Sequence, residues 1–209
     1  MSKFNLNNYK YFSAQDVETE GLNLQSSRPW QIAWVNFNHK GETLEEQDRY
    51  IWWDDLNISE DAKRVTHFDY NKYKKLAESP VEVWKDFSKT YLDPNCGLVL
   101  HNGINFDAAI ISLWAKAVGV KLSWKDHLTR YIDTHLISKG IKLGMEVDKN
   151  NFLAWQYKIG SIRAKIKTNL KTMCLENDIE FDESRAHEAA YDADRTKELF
   201  LKYIRYKLN

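Results

Sequence analysis

Residues 98–111 read Leu98-Val99-Leu100-His101-Asn102-Gly103-Ile104-Asn105-Phe106-Asp107-Ala108-Ala109-Ile110-Ile111. The apolar run at 98–100 follows a DPNCG turn sequence at 93–97, and its length and flanks favour a buried strand over a helix. A polar loop follows, and then a helix predicted over 107–118 and stopped near Gly119. Asp107 therefore falls in the first turn of a helix, directly after a core strand. Open α/β sheets place their sites at the carboxyl ends of such strands. The alternative for Asp107 is a plain helix N-terminal charge, worth a few tenths of a kcal/mol to about one.

Working outward, PWQIAWVNF at Pro29–Phe37 is apolar on both faces, as a central strand is. Residues 9–15 are aromatic-rich and strand-like, ending at Asp16, and 47–53 offers a third strand. Ser79, Pro80 and Glu82 form a helix-start signature, and Trp84, Phe87, Ser88 and Tyr91 recur at helical spacing, which predicts a helix over 80–91. Thr168 is positioned to cap a helix carrying Leu170, Met173 and Cys174. A last helix is predicted over 189–207, with Ala193, Thr196, Phe200, Tyr203 and Ile204 facing inward. Strands first, then helices interleaved with strands, indicate an α/β domain with a mixed central β-sheet and α-helices on both faces.

A chain of 209 residues that is 43% hydrophobic can bury a core without a second domain, so one domain over 1–209 is expected, with disorder confined to 1–8. Thirty basic and thirty acidic side chains cancel, which offers no whole-chain field for a polyanion. The distribution is uneven: Lys139, Lys142, Lys149, Lys158, Arg163, Lys165, Lys167 and Lys171 face only Glu146 and Asp148 within the same stretch. Such a run is either a solvated face or a phosphate-tracking strip. Cys96 and Cys174 stand far apart, without a zinc-knuckle or disulfide pattern. The most apolar stretch, 108–120, is interrupted by Ser112 and Lys116 and is too short to span a bilayer. No membrane association is expected, and a cytoplasmic location, in bacteria or in a virus-infected host cell, fits best.

Asp16 and Glu18, in DVETEGL at 16–22, share one face of a pleated strand by their i, i+2 spacing. Two carboxylates on one face repel unless a cation lies between them, and hard oxygen ligands suit Mg2+ or Mn2+. The bland alternative is a solvated strand end. In HEAAYD at 187–192, Asp192 lies one turn before Thr196, on the side of the last helix that points inward or to the sheet edge. His187, five residues earlier, belongs on the preceding loop or first turn, from which it can reach over a metal site.

DVETEGL, HNGINFD and HEAAYD, in this order, resemble the three motifs of the DEDDh (DnaQ-like) 3′-to-5′ exonucleases of the RNase H-like superfamily. The resemblance spans almost the whole chain, since QIAW, PVEVWKDF, YIDTHLI and NLKTMCLENDI also look like family segments. The step from Asn102 to Asp107 is most similar to TREX-type exonucleases and B-family polymerase proofreading domains. Departures are Ser13 and Gln15 at usually apolar positions, Glu20 for a typical threonine, and His67-Phe68 where Gly-Ile is common. Residues 139–166 resemble an insertion.

The resemblance implies a catalytic set of Asp16, Glu18, Asp107, His187 and Asp192. The four carboxylates would hold two divalent cations, Mg2+ or Mn2+, and His187 would be the general base. It also implies Leu22 and Phe68 against the terminal base, and His101 and Asn102 at its sugar or phosphate; ordinary core and a loop cap are the alternatives for Leu22, Phe68 and Asn102. Asp133 matches a structural family position. Trp52-Trp53 reads as packing rather than as a nucleic-acid platform. The implied partner is nucleic acid, DNA before RNA, with a replisome protein as a further candidate. The rival readings are an exoribonuclease or oligoribonuclease on the same fold and a non-catalytic nucleic-acid-binding module.

Overall fold

A computed structural model describes residues 3–123 and 127–208. Its described residues form a five-stranded sheet in the order β3-β2-β1-β4-β5. Here β1 is Tyr11–Thr19, β2 Pro29–Phe37, β3 Thr43–Tyr50, β4 Cys96–Leu100 and β5 Tyr131–Asp133. β1 pairs antiparallel with β2 and parallel with β4, β2 with β3 is antiparallel, and β4 with β5 is parallel, so the sheet is mixed as expected. Every residue of β2 is buried, which is why PWQIAWVNF carries no alternation.

The main described helices are α1 (Glu60–Thr66), α2 (Tyr70–Leu76), α3 (Pro80–Tyr91), α4 (Asp107–Ala117), α5 (Thr134–Lys142), α6 (Phe152–Ser161), α7 (Leu170–Glu176) and α8 (Ala189–Leu199). A π turn at Phe200–Ile204 carries α8 on into α9 (Arg205–Leu208). α3 starts where Ser79 accepts the Val81 N–H and Pro80 occupies the first turn. α4 stops before Gly119, whose φ of +79° is free of strain only for glycine.

Strand alternation sorts these helices onto two faces. Trp34 of β2 meets Phe87 of α3 at 5.4 Å between ring centres, and Phe87 stacks on Trp114 of α4 at 5.6 Å. On the opposite face Ala33 and Val35 pack against Ala189 and Ala193 of α8. Asp16 lies directly opposite Ala33 in the ladder, so it projects from the α8 face. Small side chains on both partners let α8 approach the sheet closely just there.

Several boundaries differ from expectation, and β1 itself runs on to Thr19 instead of ending at Asp16. The third strand runs over Thr43–Tyr50 rather than 47–53, because an exposed edge strand rich in Glu45, Glu46 and Asp48 carries no apolar alternation. Trp52 leaves it to stack on Tyr73 at 5.4 Å, and the Trp53 Nε1 donates to the Pro29 carbonyl at 2.7 Å, so both tryptophans pack. The cap of α7 is Asn169, whose side chain accepts from the Thr172 N–H, and not Thr168. Residues 3–8, where disorder was expected, include a 3-10 turn at Leu6–Asn8, and Phe4 stacks on Phe152 of α6 at 3.8 Å.

Within 139–166, α6 packs on α5, and a Cβ at Gly140 would meet the Trp155 ring at 2.6 Å. Gln156 of α6 accepts the Asp133 N–H at 2.8 Å and donates to the Tyr131 carbonyl at 3.0 Å, so one buried amide satisfies the outer edge of β5. Cys96 and Cys174 are free and buried. No described helix is long and apolar enough to cross a membrane.

Candidate active site

The carboxyl end of β1 carries Asp16 and Glu18 onto the α8 face, as their spacing predicts. Asp192 lies in the first turn of α8. His187 precedes that helix on a loop with φ +66°, and its backbone N–H donates to Asp192 Oδ2 at 3.1 Å. One ligand atom from each of Glu18, His187 and Asp192 lies within 4.8 Å of the others. Asp16 lines the same cleft with these three but stands outside that close group. Asp107, 7% exposed at the start of α4, is not on the cleft wall; its charge nevertheless acts on both Asp16 and Glu18.

Asp133 explains how Asp107 is brought there. Buried at the end of β5, it accepts the Asn102 and Leu136 N–H groups on Oδ1 and the Ile104 N–H on Oδ2. One side chain thus caps α5 and folds the loop that presents α4. Its role is structural in the way the sequence implied.

The electrostatics are those of acids crowded in a poorly solvated place. Burial, then the neighbouring carboxylates, pushes Asp16 and Glu18 well above the usual carboxylate range. Burial raises Asp107 to about 7 and Asp192 to about 6, with Asp133 and Glu188 respectively adding to the shift. Burial also lowers His187, and the nearby His67 lowers it further. Asp192 Oδ1 is buried with no hydrogen-bond partner among the described residues. An orphaned carboxylate oxygen beside two other oxygen and nitrogen donors fits a divalent cation, which would supply the missing partner and the missing positive charge.

The cleft offers about 480 Å3. Its apolar side comprises Leu22, Ala62, Val65 and Phe106, and Leu22 is 87% exposed at the mouth. The α1 wall was not foreseen, although Ser59 followed by Glu60 and Asp61 is an N-cap with an acidic first turn, and the Ser59 side chain does accept the Ala62 N–H. His67 ends α1 in the left-handed region at φ +51°, the conformation that a glycine, usual at this place in the resembled family, adopts at no cost.

Three expected contact residues, Phe68, His101 and Asn102, are not on the cleft wall. Phe68 packs edge-on against Trp30 at 4.9 Å in a separate apolar cluster, because the left-handed cap at His67 turns the chain inward after α1. His101 is turned toward the core: its Nδ1 bonds Thr134 Oγ1 at 2.8 Å, its ring meets His135 at 5.5 Å, and burial lowers it to about 3. Asn102 is exposed at φ +68° with its side-chain oxygen accepting from Asn105, so it closes the loop.

Comparison with known proteins follows the same outline. The family described as Exonuclease matches residues 14–200. Ribonuclease T of Yersinia pseudotuberculosis serotype O:1b (strain IP 31758) is 27% identical over 201 residues, spanning 90% of this chain and 82% of that protein. Ribonuclease T of Yersinia pestis matches to the same extent. Among solved structures, the zinc-bound E. coli ExoI–ssDNA complex aligns with a TM-score of 0.75 and 15% identity, covering 95% of this chain and 41% of that one. E. coli Exonuclease I with a dT13 oligonucleotide gives 0.71 and 16%, covering 94% and 42%. The chain therefore spans about two fifths of the length of these structures, and at such identity the likeness is one of fold.

Proposed function

The chain belongs to the exonuclease family and is a 3′-to-5′ exonuclease, and from that premise we propose that it releases nucleoside 5′-monophosphates from single-stranded or frayed 3′ ends of DNA. The observation that carries this reading is the convergence of Glu18, Asp192 and His187 within 4.8 Å, in a cleft that Asp16 also lines. Asp16, Glu18 and Asp192 would hold two divalent cations, Mg2+ or Mn2+, with Asp107 contributing directly or through water. When bound, these cations neutralise the phosphate, activate water and stabilise the leaving oxygen.

His187, beside Glu18 and Asp192, would take the proton of the attacking water. The imidazole at the rim needs to be neutral to accept it, and partial burial together with His67 favours the neutral form at pH near 7. The Asp192 carboxylate holds the backbone of His187, which fixes where the ring can stand. Leu22 supplies an apolar surface at the mouth for the terminal base, and Phe106 and Val65 line the same cleft. Stacking and apolar contact of this kind tolerate any base, so little base preference follows.

A second reading, removal of nucleotides from RNA 3′ ends, is favoured by the Ribonuclease T relatives. The deciding experiment uses 5′-labelled single-stranded DNA, duplex DNA and RNA of equal length, with wild type and Asp16→Ala, in Mg2+ or EDTA. A one-nucleotide ladder on DNA in Mg2+, absent in EDTA and in the variant, is the expected result. A ladder that persists in EDTA contradicts the metal-dependent site. Faster shortening of RNA transfers the proposal to the second reading, and binding without any ladder makes the chain a binding module.

A further inference from the structure

Seven of the eight basic side chains between 139 and 171 divide into two groups once their surroundings are known. Lys139 Nζ donates to the Ile162 carbonyl at 2.7 Å, Lys142 pairs with Glu176 at 2.6 Å, and Lys171 pairs with Glu183 at 2.5 Å. Those charges are spent on holding the segment to its neighbours. Lys158, Arg163, Lys165 and Lys167 are exposed, and none of them lies within ion-pair distance of a carboxylate among the described residues. Four uncompensated cations within ten consecutive positions stand out in a chain whose net charge is zero.

Their place in the fold connects them to the cleft. β1 and β4 are parallel with Ala14 level with Val99, so Asp16 lies level with His101 at the same edge of the sheet. Residues 162–169 border that edge, since the Thr168 carbonyl bonds His135 Nδ1 at 2.9 Å and the His135 ring adjoins His101. At the other end of the strip, a Cβ at Gly160 would stand 3.6 Å from the Asn105 side chain, and Asn105 immediately precedes Phe106 on the cleft wall. A strand leaving the cleft past Phe106 and across the 102–106 loop would therefore meet the basic segment next.

We propose that Lys158, Arg163, Lys165 and Lys167 form a phosphate-tracking strip that binds the single strand upstream of the 3′ terminal nucleotide. This rests on the exonuclease reading and sharpens it, because a site with such a strip selects strands of several nucleotides over dinucleotides. Backbone phosphates are the chemistry that fits: the cations stand at the end of α6 and at alternate positions 163, 165 and 167 of the segment that follows it, and such contacts are indifferent to base.

Binding of a fluorescent single strand of about 15 nucleotides, within the site sizes usual for such grooves, is measured by anisotropy in EDTA across a KCl series. Wild type is compared with Lys165→Ala/Lys167→Ala and with the control Lys74→Ala/Lys75→Ala, whose lysines are exposed on α2 beside the far edge of the sheet. Loss of two phosphate contacts lowers the slope of log affinity against log salt by about 1.4, and the control leaves it unchanged. Turnover is then compared on a dinucleotide and on the long strand: the strip variant raises KM for the long strand alone. Equal salt slopes for all three proteins would overturn the strip while leaving the nuclease ladder intact. Absence of a ladder in wild type would instead defeat the exonuclease reading, whatever the binding slopes.

Discussion

Asp192 commits one carboxylate oxygen to the His187 N–H and keeps the other buried without a partner among the described residues. That division predicts separable roles for the two residues. His187→Ala should lower turnover by roughly 10²- to 10⁴-fold, the usual loss for a general base, while calorimetric Mn2+ binding survives. Loss of Mn2+ binding together with turnover would make His187 a ligand, which its distance to Glu18 and Asp192 also permits. The raised acids give a second prediction. A folded-state carboxyl raised above its unfolded value contributes stability that is fully present below about pH 4 and is lost as pH rises through the folded value. For Asp192 and Asp107 that loss runs through about 6 to 7. Divalent cations compensate it, so the Mg2+-induced rise in Tm should be larger at about pH 7.5 than at about pH 5; an increment independent of pH would contradict the linkage. The carboxylates were legible because i, i+2 spacing on a strand and i, i+4 spacing on a helix fix direction. Phe68 and His101 were not, since each hangs on a loop conformation that residue order alone does not specify.

At the scale of elements, the parallel β1–β4 pair sets where the site stands, and it depends on Gly97. A Cβ there would meet Phe12 Cδ1 at 2.6 Å and Tyr9 Cδ2 at 3.1 Å. Gly97→Ala should cost about 1–3 kcal/mol, the usual range for overpacking, read as a lower denaturation midpoint with an unchanged slope; a neutral result would mean that both rings move aside freely. Long elements marked by a continuous apolar run or by strong capping, β2 and α3 respectively, were read with their ends in place. Short ones were not: α1 buries none of its residues and α2 buries only Tyr73, so their caps at Ser59 and Asp69 were the only signal. The π turn at Phe200–Ile204 shifts the helical phase, which leaves Tyr203 half-buried rather than inward as the unbroken 189–207 helix required.

For the whole molecule, the order of three motifs carried more than any one of them, because order along the chain becomes position around the sheet. The step from Asn102 to Asp107, which resembled TREX-type domains, carries no substrate information by itself; the relatives described above are Ribonuclease T and, in fold, Exonuclease I. The loop of that step is held by the Asp133 hydrogen bonds to the Asn102 and Ile104 N–H groups. Net charge was equally uninformative, since cancellation over 209 residues conceals both an acidic cleft and a basic segment. The most direct measurement is Mn2+ anomalous diffraction from crystals of the wild-type protein. Strong peaks in contact with the Glu18 and Asp192 carboxylates, and bordered by Asp16, are predicted. Fully occupied Mn2+ elsewhere, with those three side chains left without a cation, would contradict the account.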